Sequence, residues 1–247
     1  LNCSAMRSYR VFSSLPITLN APCELDARSS HYLARVLRIK VGAPIRVFNG
    51  DGKDYLGSVA SASKNAVSVF ITSCENPETE PLVQTTLGLG VSKGDRFEWA
   101  IKKATELGVT SVVPILTQRV DVRLPIERWQ KKQIHWQNSI ISACEQSGRT
   151  IIPSVQEPVS LDEWVPNIEA DCKFVLDPSI TSQPVDIEPK HVALLIGPEG
   201  GLTPSEVSLA SDHGFHGLHL GPRVLRTETA PLVALSIIGA RWGDMSA

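Results

Sequence analysis

The chain has 247 residues, 42% of them hydrophobic and 20% charged, a balance that fits one large soluble domain or a small one joined to a medium one. No apolar run approaches the roughly 18–20 residues that a bilayer span needs. Five scattered cysteines without CxxC spacing argue against both a disulfide framework and a structural zinc site. The net charge of −2 is unevenly spread: residues 1–73 carry nine Lys/Arg against four Asp/Glu, and the remainder fifteen against twenty-two. A basic module therefore precedes an acidic one, and the basic one suits a polyanion as well as it suits plain solvation.

In chain order, Leu1–Ala5 read as an extension upstream of Met6. Tyr9–Phe12 is a short strand. Ser30 is expected to cap an amphipathic helix over His31–Leu37, with Leu33, Val36 and Leu37 on one face. Three strands follow, Ala43–Phe48, Tyr55–Ser61 and Ala66–Thr72. Asn49–Gly52 and Ser63–Asn65 sit between them as turns, where Gly and Asn accept positive φ cheaply. Several short strands and one helix suggest a small barrel over residues 1–73. Residues 74–81, polar and carrying Pro77 and Pro81, read as a linker.

From residue 82 to 247 the pattern alternates strand and helix. Val83–Val91 is a strand, and a helix from an Asp95 cap to Leu107 closes at Gly108. Ser111–Leu116, Phe174–Leu176 and Val192–Ile196 are further strands, with a long helix over Ile126–Gln146. Thr203-Pro204-Ser205-Glu206 carries a Thr cap, a Pro at the first helical position and a Glu placed for a capping box. Gly217–Leu220 is a last strand, before a helix over Thr229–Trp242. This alternation predicts a parallel sheet with helices on both faces.

Two loops carry unusual composition: Gly197-Pro198-Glu199-Gly200-Gly201 after one strand and Gly221-Pro222-Arg223-Val224-Leu225-Arg226-Thr227-Glu228 after another. Ligands of such sheets collect beyond the carboxyl ends of strands. Glycine there brings backbone N–H and C=O close to a ligand, and Pro198 and Pro222 stiffen the turns. Bare, stiff backbone suits a flat heterocycle, although tight strand-to-helix turns alone would look similar. Neither loop matches a dinucleotide or nucleotide-triphosphate phosphate motif. Arg223, Arg226 and Glu228 place three charges in six positions, enough to hold a phosphate or to form a surface ion pair.

These two loops resemble the signature loops of the ribosomal small subunit methyltransferase E family, 16S rRNA uridine N3-methyltransferases of the SPOUT class. The resemblance also takes in Met6–Phe12, His31–Arg38, Lys93–Trp99, Lys102–Gly108, Thr117–Arg119 and Glu145–Arg149, in order over nearly the whole chain. It implies an α/β fold: a SPOUT-type, trefoil-knotted, parallel-sheet methyltransferase domain preceded by a small PUA-like β-barrel domain. It implies a homodimer and 16S rRNA as substrate, within an assembled small subunit; the scattered cysteines read as reduced thiols in a cytoplasm, and six histidines without ligand spacing predict no metal.

S-adenosyl-L-methionine would then be held by Leu176, Gly197, Pro198, Glu199, Gly200, Gly201, Leu220, Gly221, Arg223, Leu225, Arg226 and Thr227. RNA would meet Arg7, Arg10, Arg35, Arg38, Lys40, Arg119 and Arg149, with Arg35 and Arg38 sharing a helix face. Arg149 and Arg226 are the candidates for stabilising negative charge on the uracil oxygens as N3 loses its proton, and either is equally suited to gripping phosphate. No Cys–His or Ser–His constellation is evident, which fits direct displacement. Other readings are an RNA-binding assembly factor that has lost catalysis and a related enzyme that methylates another base or a ribose.

Overall fold

The structure is a computed structural model that describes residues 9–120, 125–177, 180 and 187–245. Its chain divides into two compact units: Leu1–Glu80 with Cys144–Ile152, and Pro81–Ala143 with Pro153–Ala247.

The first unit is built on a mixed five-stranded sheet of β1 (Tyr9–Phe12), β2 (Pro22–Glu24), β3 (Pro44–Phe48), β4 (Asp54–Ala62) and β5 (Val67–Glu75), in the order β1-β3-β4-β5-β2. Among the described residues of this unit, only the β1–β3 pairing is parallel. Alternation along the strands points Val11, Ile45, Val47, Val69 and Ile71 into one core, joined by Leu33 from the helical segment.

That segment differs from expectation. Asp26, not Ser30, caps α1 (Ala27–His31), accepting from the Ser29 N–H at 2.9 Å. Ser30 is buried, donating to the Leu25 carbonyl and accepting from the Val67 N–H. With the cap one turn earlier, residues Tyr32–Val36 continue as a π-helical turn. Arg38 lies beyond it at φ 49°, so it does not share a helix face with Arg35.

The residues expected to form a linker hold hydrogen bonds within the first unit. Strand β5 runs through Glu75. The Glu80 carboxylate accepts from the Thr150 and Ile151 N–H groups and from the Arg149 guanidinium, and the Thr79 hydroxyl donates to the Gly148 carbonyl.

In the second unit all pairings are parallel. Strands β6 (Gln84–Gly90), β7 (Ser111–Leu116), β8 (Ser154–Val155), β10 (Cys172–Val175), β11 (His191–Ile196) and β12 (Phe215–Gly217) lie in the order β12-β10-β11-β6-β7-β8, and β9 (Val159–Ser160) also pairs with β7. Val113, Ile115, Val175, Ala193 and Leu195 point to the face covered by α4 (Leu161–Asn167) and α5 (Pro204–Asp212). The other helices include α2 (Arg96–Glu106), α3 (Ile126–Ser147) and α6 (Ala230–Trp242). Helix α6 lies against the opposite face, where Trp242 stacks on Phe174 at 6.2 Å.

Gly108 closes α2 at φ +89°, and Thr203 and Glu206 form the full capping box of α5, as their residue types predict. The Asp95 side chain makes no capping hydrogen bond. Elements β2, β8, β9 and α4 had no separate signature in the sequence. Strand β12 is shorter than Gly217–Leu220 and shifted: its last ladder bond runs from the Leu218 N–H to the Val175 carbonyl, after which residues 218–220 leave the sheet.

Candidate active site

The strand order reverses around β6. The chain passes from β6 to β7 and β8 on one side, while β11, β10 and β12 occupy the other. A reversal of this kind opens a crevice at the carboxyl ends of the strands. A cavity of about 320 Å³ lies just beyond β10, β11 and β12, within the ~300–1,000 Å³ of typical small-molecule sites.

Ten of the twelve residues expected to meet a cofactor line it: Leu176, Gly197, Pro198, Glu199, Gly201, Leu220, Gly221, Arg223, Leu225 and Thr227. Gly200 and Arg226 flank it in the same two loops. The cavity also brings in Asp177 and His219, two titratable side chains that carried no motif in the sequence.

The first loop is fixed from outside. At the end of β6, a Cβ on Gly90 would lie only 2.7 Å from Pro198 Cδ and 2.8 Å from the Gly197 carbonyl carbon. Glycine is what lets the Gly197–Pro198 backbone rest on β6. Gly201 turns the loop at φ +68°, in the left-handed region that favours glycine.

Polar ties complete the hold. Arg119, in the turn after β7, donates to the Gly200 carbonyl at 2.7 Å and packs its stem on Gly200. Arg96, at the start of α2, pairs with Glu199 at 2.9 Å. The buried Glu206 carboxylate accepts from both the Gln118 N–H and the Thr203 N–H, joining that turn to the start of α5. Arg119 was expected at the RNA; its geometry is that of a support for the loop.

The second loop is more open. The Arg226 side chain is 78% exposed and lies 3.9 Å from Glu228. Glu228 Oε2 is buried with no hydrogen-bond partner among the described residues. Val224, earlier in the same loop, is fully exposed.

The remaining predicted arginines fall in the first unit. Arg35, Arg38 and Lys40 are exposed there; Arg7 lies outside the described residues. Arg10 is internal, only 10% exposed, paired with Asp54 at 2.9 Å and set over the Phe48 ring. It also donates to the Cys144 and Arg149 carbonyls. Arg149 is 3% exposed, with its guanidinium on Glu80. Both positions argue against direct phosphate contact: their partners lie 44 and 69 residues away in sequence, beyond the reach of local pattern. Cys144 is buried, and desolvation pushes its thiol up to about 12, so it is no nucleophile. Among the described residues no group of three His, Cys, Asp or Glu is placed to hold a metal.

A family model for an RNA methyltransferase domain matches residues 78–239, and one for an RNA methyltransferase PUA domain matches residues 25–72. The ribosomal RNA small subunit methyltransferase E of Bacillus subtilis is 34% identical over 84% of this chain and 86% of its own length. The chain belongs to the ribosomal RNA small subunit methyltransferase E family. Its relative from Buchnera aphidicola (strain Sg) is 30% identical over 96% of this chain and 98% of its own.

Two solved structures share the family fold over nearly the whole chain. A methyltransferase from Legionella pneumophila, in complex with S-adenosylmethionine, is 39% identical with a TM-score of 0.93, covering 97% of this chain and 100% of its own. The ribosomal RNA small subunit methyltransferase E of Neisseria gonorrhoeae, also bound to S-adenosylmethionine, is 30% identical with a TM-score of 0.90 over the same shares. The SPOUT α/β sheet and the PUA-type mixed sheet are thus the two parts of this family's fold.

Proposed function

We propose that this protein is an S-adenosylmethionine-dependent methyltransferase acting on N3 of a specific uridine in 16S rRNA. The observation that carries the reading is the cavity beyond β10, β11 and β12, walled by two glycine-rich loops. Its donor set fits the cofactor. The loops present backbone amides and carbonyls for an adenine edge, and Leu176, Leu220 and Leu225 give apolar surface for its faces. When bound, S-adenosylmethionine supplies a methyl group on a sulfonium, whose C–S bond pair returns to sulfur on transfer.

The chain's own residues bind and align. Gly90, Arg96 and Arg119 keep the first loop in one geometry, so donor and acceptor meet without reorganisation. Arg226 is the side chain we assign to the uracil oxygens, where its charge stabilises the anion left when N3 loses its proton to solvent. Arg149, buried on Glu80, is assigned a structural role in the first unit. Arg35, Arg38 and Lys40 are suited to RNA phosphates. The target edge of uridine is hidden in paired RNA, so the base is presented unpaired or flipped.

The enzyme is further read as a cytoplasmic homodimer that acts on the assembled small subunit. No helix among the described residues is long and apolar enough to cross a membrane.

The test is methylation of small-subunit RNA and of particles from a strain lacking this protein, with mass spectrometry of the nucleosides. The expected product is 3-methyluridine, formed faster on particles than on free RNA. A methylated ribose or another base would make the protein a different enzyme of the same fold. RNA binding without cofactor binding would make it an assembly factor. Arg226→Ala should lower kcat by about 10²-fold with cofactor affinity little changed; a rise in RNA KM alone would limit Arg226 to phosphate.

A further inference from the structure

The acidic character of the second part of the chain is itself divided. Residues 93–135 carry nine Lys/Arg against five Asp/Glu, whereas residues 136–247 carry six against fourteen. The basic stretch begins at Lys93, takes in Arg96, which pairs with Glu199 of the cavity wall, and ends in the first half of α3.

Arg128, Lys131 and Lys132 stand three and four residues apart on α3 and share one flank of the helix. Arg128 and Lys131 are exposed; Lys132 is half-buried with its ammonium 5.5 Å from the Trp136 ring. His135 continues the flank one turn on, with Nε2 2.8 Å from Glu98 of α2. Glu98 also takes Lys102 at 2.7 Å and the Ser139 hydroxyl at 2.8 Å. One carboxylate thus fastens α2 to α3 and sets Lys102, 40% exposed, alongside the α3 cations. Solvation alone does not require cations to gather on one flank while the rest of the sheet domain carries the opposite charge.

We infer that this α2–α3 flank is a second RNA-docking surface, with Lys102, Arg128, Lys131 and Lys132 meeting phosphates of the substrate strand. The inference rests on the methyltransferase reading for the identity of the RNA. The chemistry favours RNA over a protein partner, because four cationic side chains from two helices gather on this flank, beside the exposed Ile134 of α3. Such contacts position the strand and read no sequence.

The experiment uses the full-length protein and transcribed small-subunit RNA, with affinity measured across a series of salt concentrations. Arg128→Gln/Lys131→Gln/Lys132→Gln should weaken RNA binding about tenfold or more near 0.1 M salt and lower the slope of log K against log [salt] by about two to three. Poly(U) should lose affinity by a similar factor. The charge-preserving Lys131→Arg/Lys132→Arg variant should keep the wild-type slope, and S-adenosylmethionine affinity and thermal midpoint should hold in both. An unchanged slope overturns the inference. So does a loss confined to assembled particles, which would identify a ribosomal protein as the partner. Wild-type protein that docks RNA with this slope but binds no cofactor would sink the methyltransferase reading and leave the surface standing.

Discussion

Gly90 shows how much of the site rests on one missing methyl group. A Cβ there would press into Pro198 Cδ at 2.7 Å and the Gly197 carbonyl carbon at 2.8 Å, both in the loop proposed to hold the cofactor. Neither neighbour is a flexible side-chain end, so Gly90→Ala must shift the loop or the strand. The expected result is a loss of S-adenosylmethionine affinity of tenfold or more by calorimetry, with the protein destabilised by about 1–3 kcal/mol, the usual cost of overpacking. Wild-type affinity in Gly90→Ala would mean that the loop does not hold the cofactor in this conformation. The residue was invisible in the sequence, where it ends an ordinary apolar strand. The loops it supports were legible because their chemistry is local: glycine, proline and charge in consecutive positions. Asp177 and His219 join the cavity wall only where three strand ends meet, and the burial of Arg10 and Arg149 became legible only when Asp54 and Glu80 came beside them.

Between elements, the same distinction separates what pattern can and cannot reach. The capping box of α5 and the glycine closure of α2 were readable because each lies within four residues. The tie from the turn after β7 to the first cavity loop spans 81 residues and was not. If Arg119 positions that loop, Arg119→Ala should raise the S-adenosylmethionine Kd about three- to tenfold, the worth of one partly exposed charge-assisted hydrogen bond. RNA affinity should hold, and Arg119→Lys should restore part of the loss because an ammonium can still donate to the Gly200 carbonyl. A drop in RNA affinity with cofactor binding intact would return Arg119 to the RNA.

The α2–α3 contact makes a separate, pH-dependent prediction. Burial alone would raise the Glu98 carboxyl, but hydrogen bonds from Lys102, Ser139 and His135 outweigh it and hold the group at about 2, against an ordinary 4.5. A depressed folded value means stability that is present above pH 4.5 and lost as pH falls toward 2. Glu98→Gln should remove that part of the acid sensitivity and cost about 2 kcal/mol at neutral pH. Parallel unfolding curves of the two proteins at pH 6 and pH 3 check it: equal differences at both would show that the carboxylate charge contributes nothing.

For the whole molecule, one cut between the two units, after Glu80, falls inside residues 74–81, but the other cuts fall where composition does not change. The sequence places a boundary within residues 74–81, but the first unit needs a piece of chain from far downstream. Cys144–Ile152 belongs to it. That piece supplies Glu145 to Arg28 at 2.9 Å, the Cys144 and Arg149 carbonyls to Arg10, and the Arg149 guanidinium to Glu80. A fragment of residues 1–80 would keep its five strands and their core, yet leave Arg10 without two acceptors and Glu80 without its guanidinium and amides. Buried polar groups deprived of partners cost about 1–3 kcal/mol each, and a small domain has only a few kcal/mol to lose. The fragment should therefore unfold at markedly lower urea than the same unit in the full chain, or fail to fold cooperatively. Arg28→Ala in the intact protein should show a milder loss, about 1 kcal/mol, because its pair with Glu145 is partly exposed. A 1–80 fragment as stable as the intact unit would show that the downstream segment is incidental and that the composition boundary is the folding boundary.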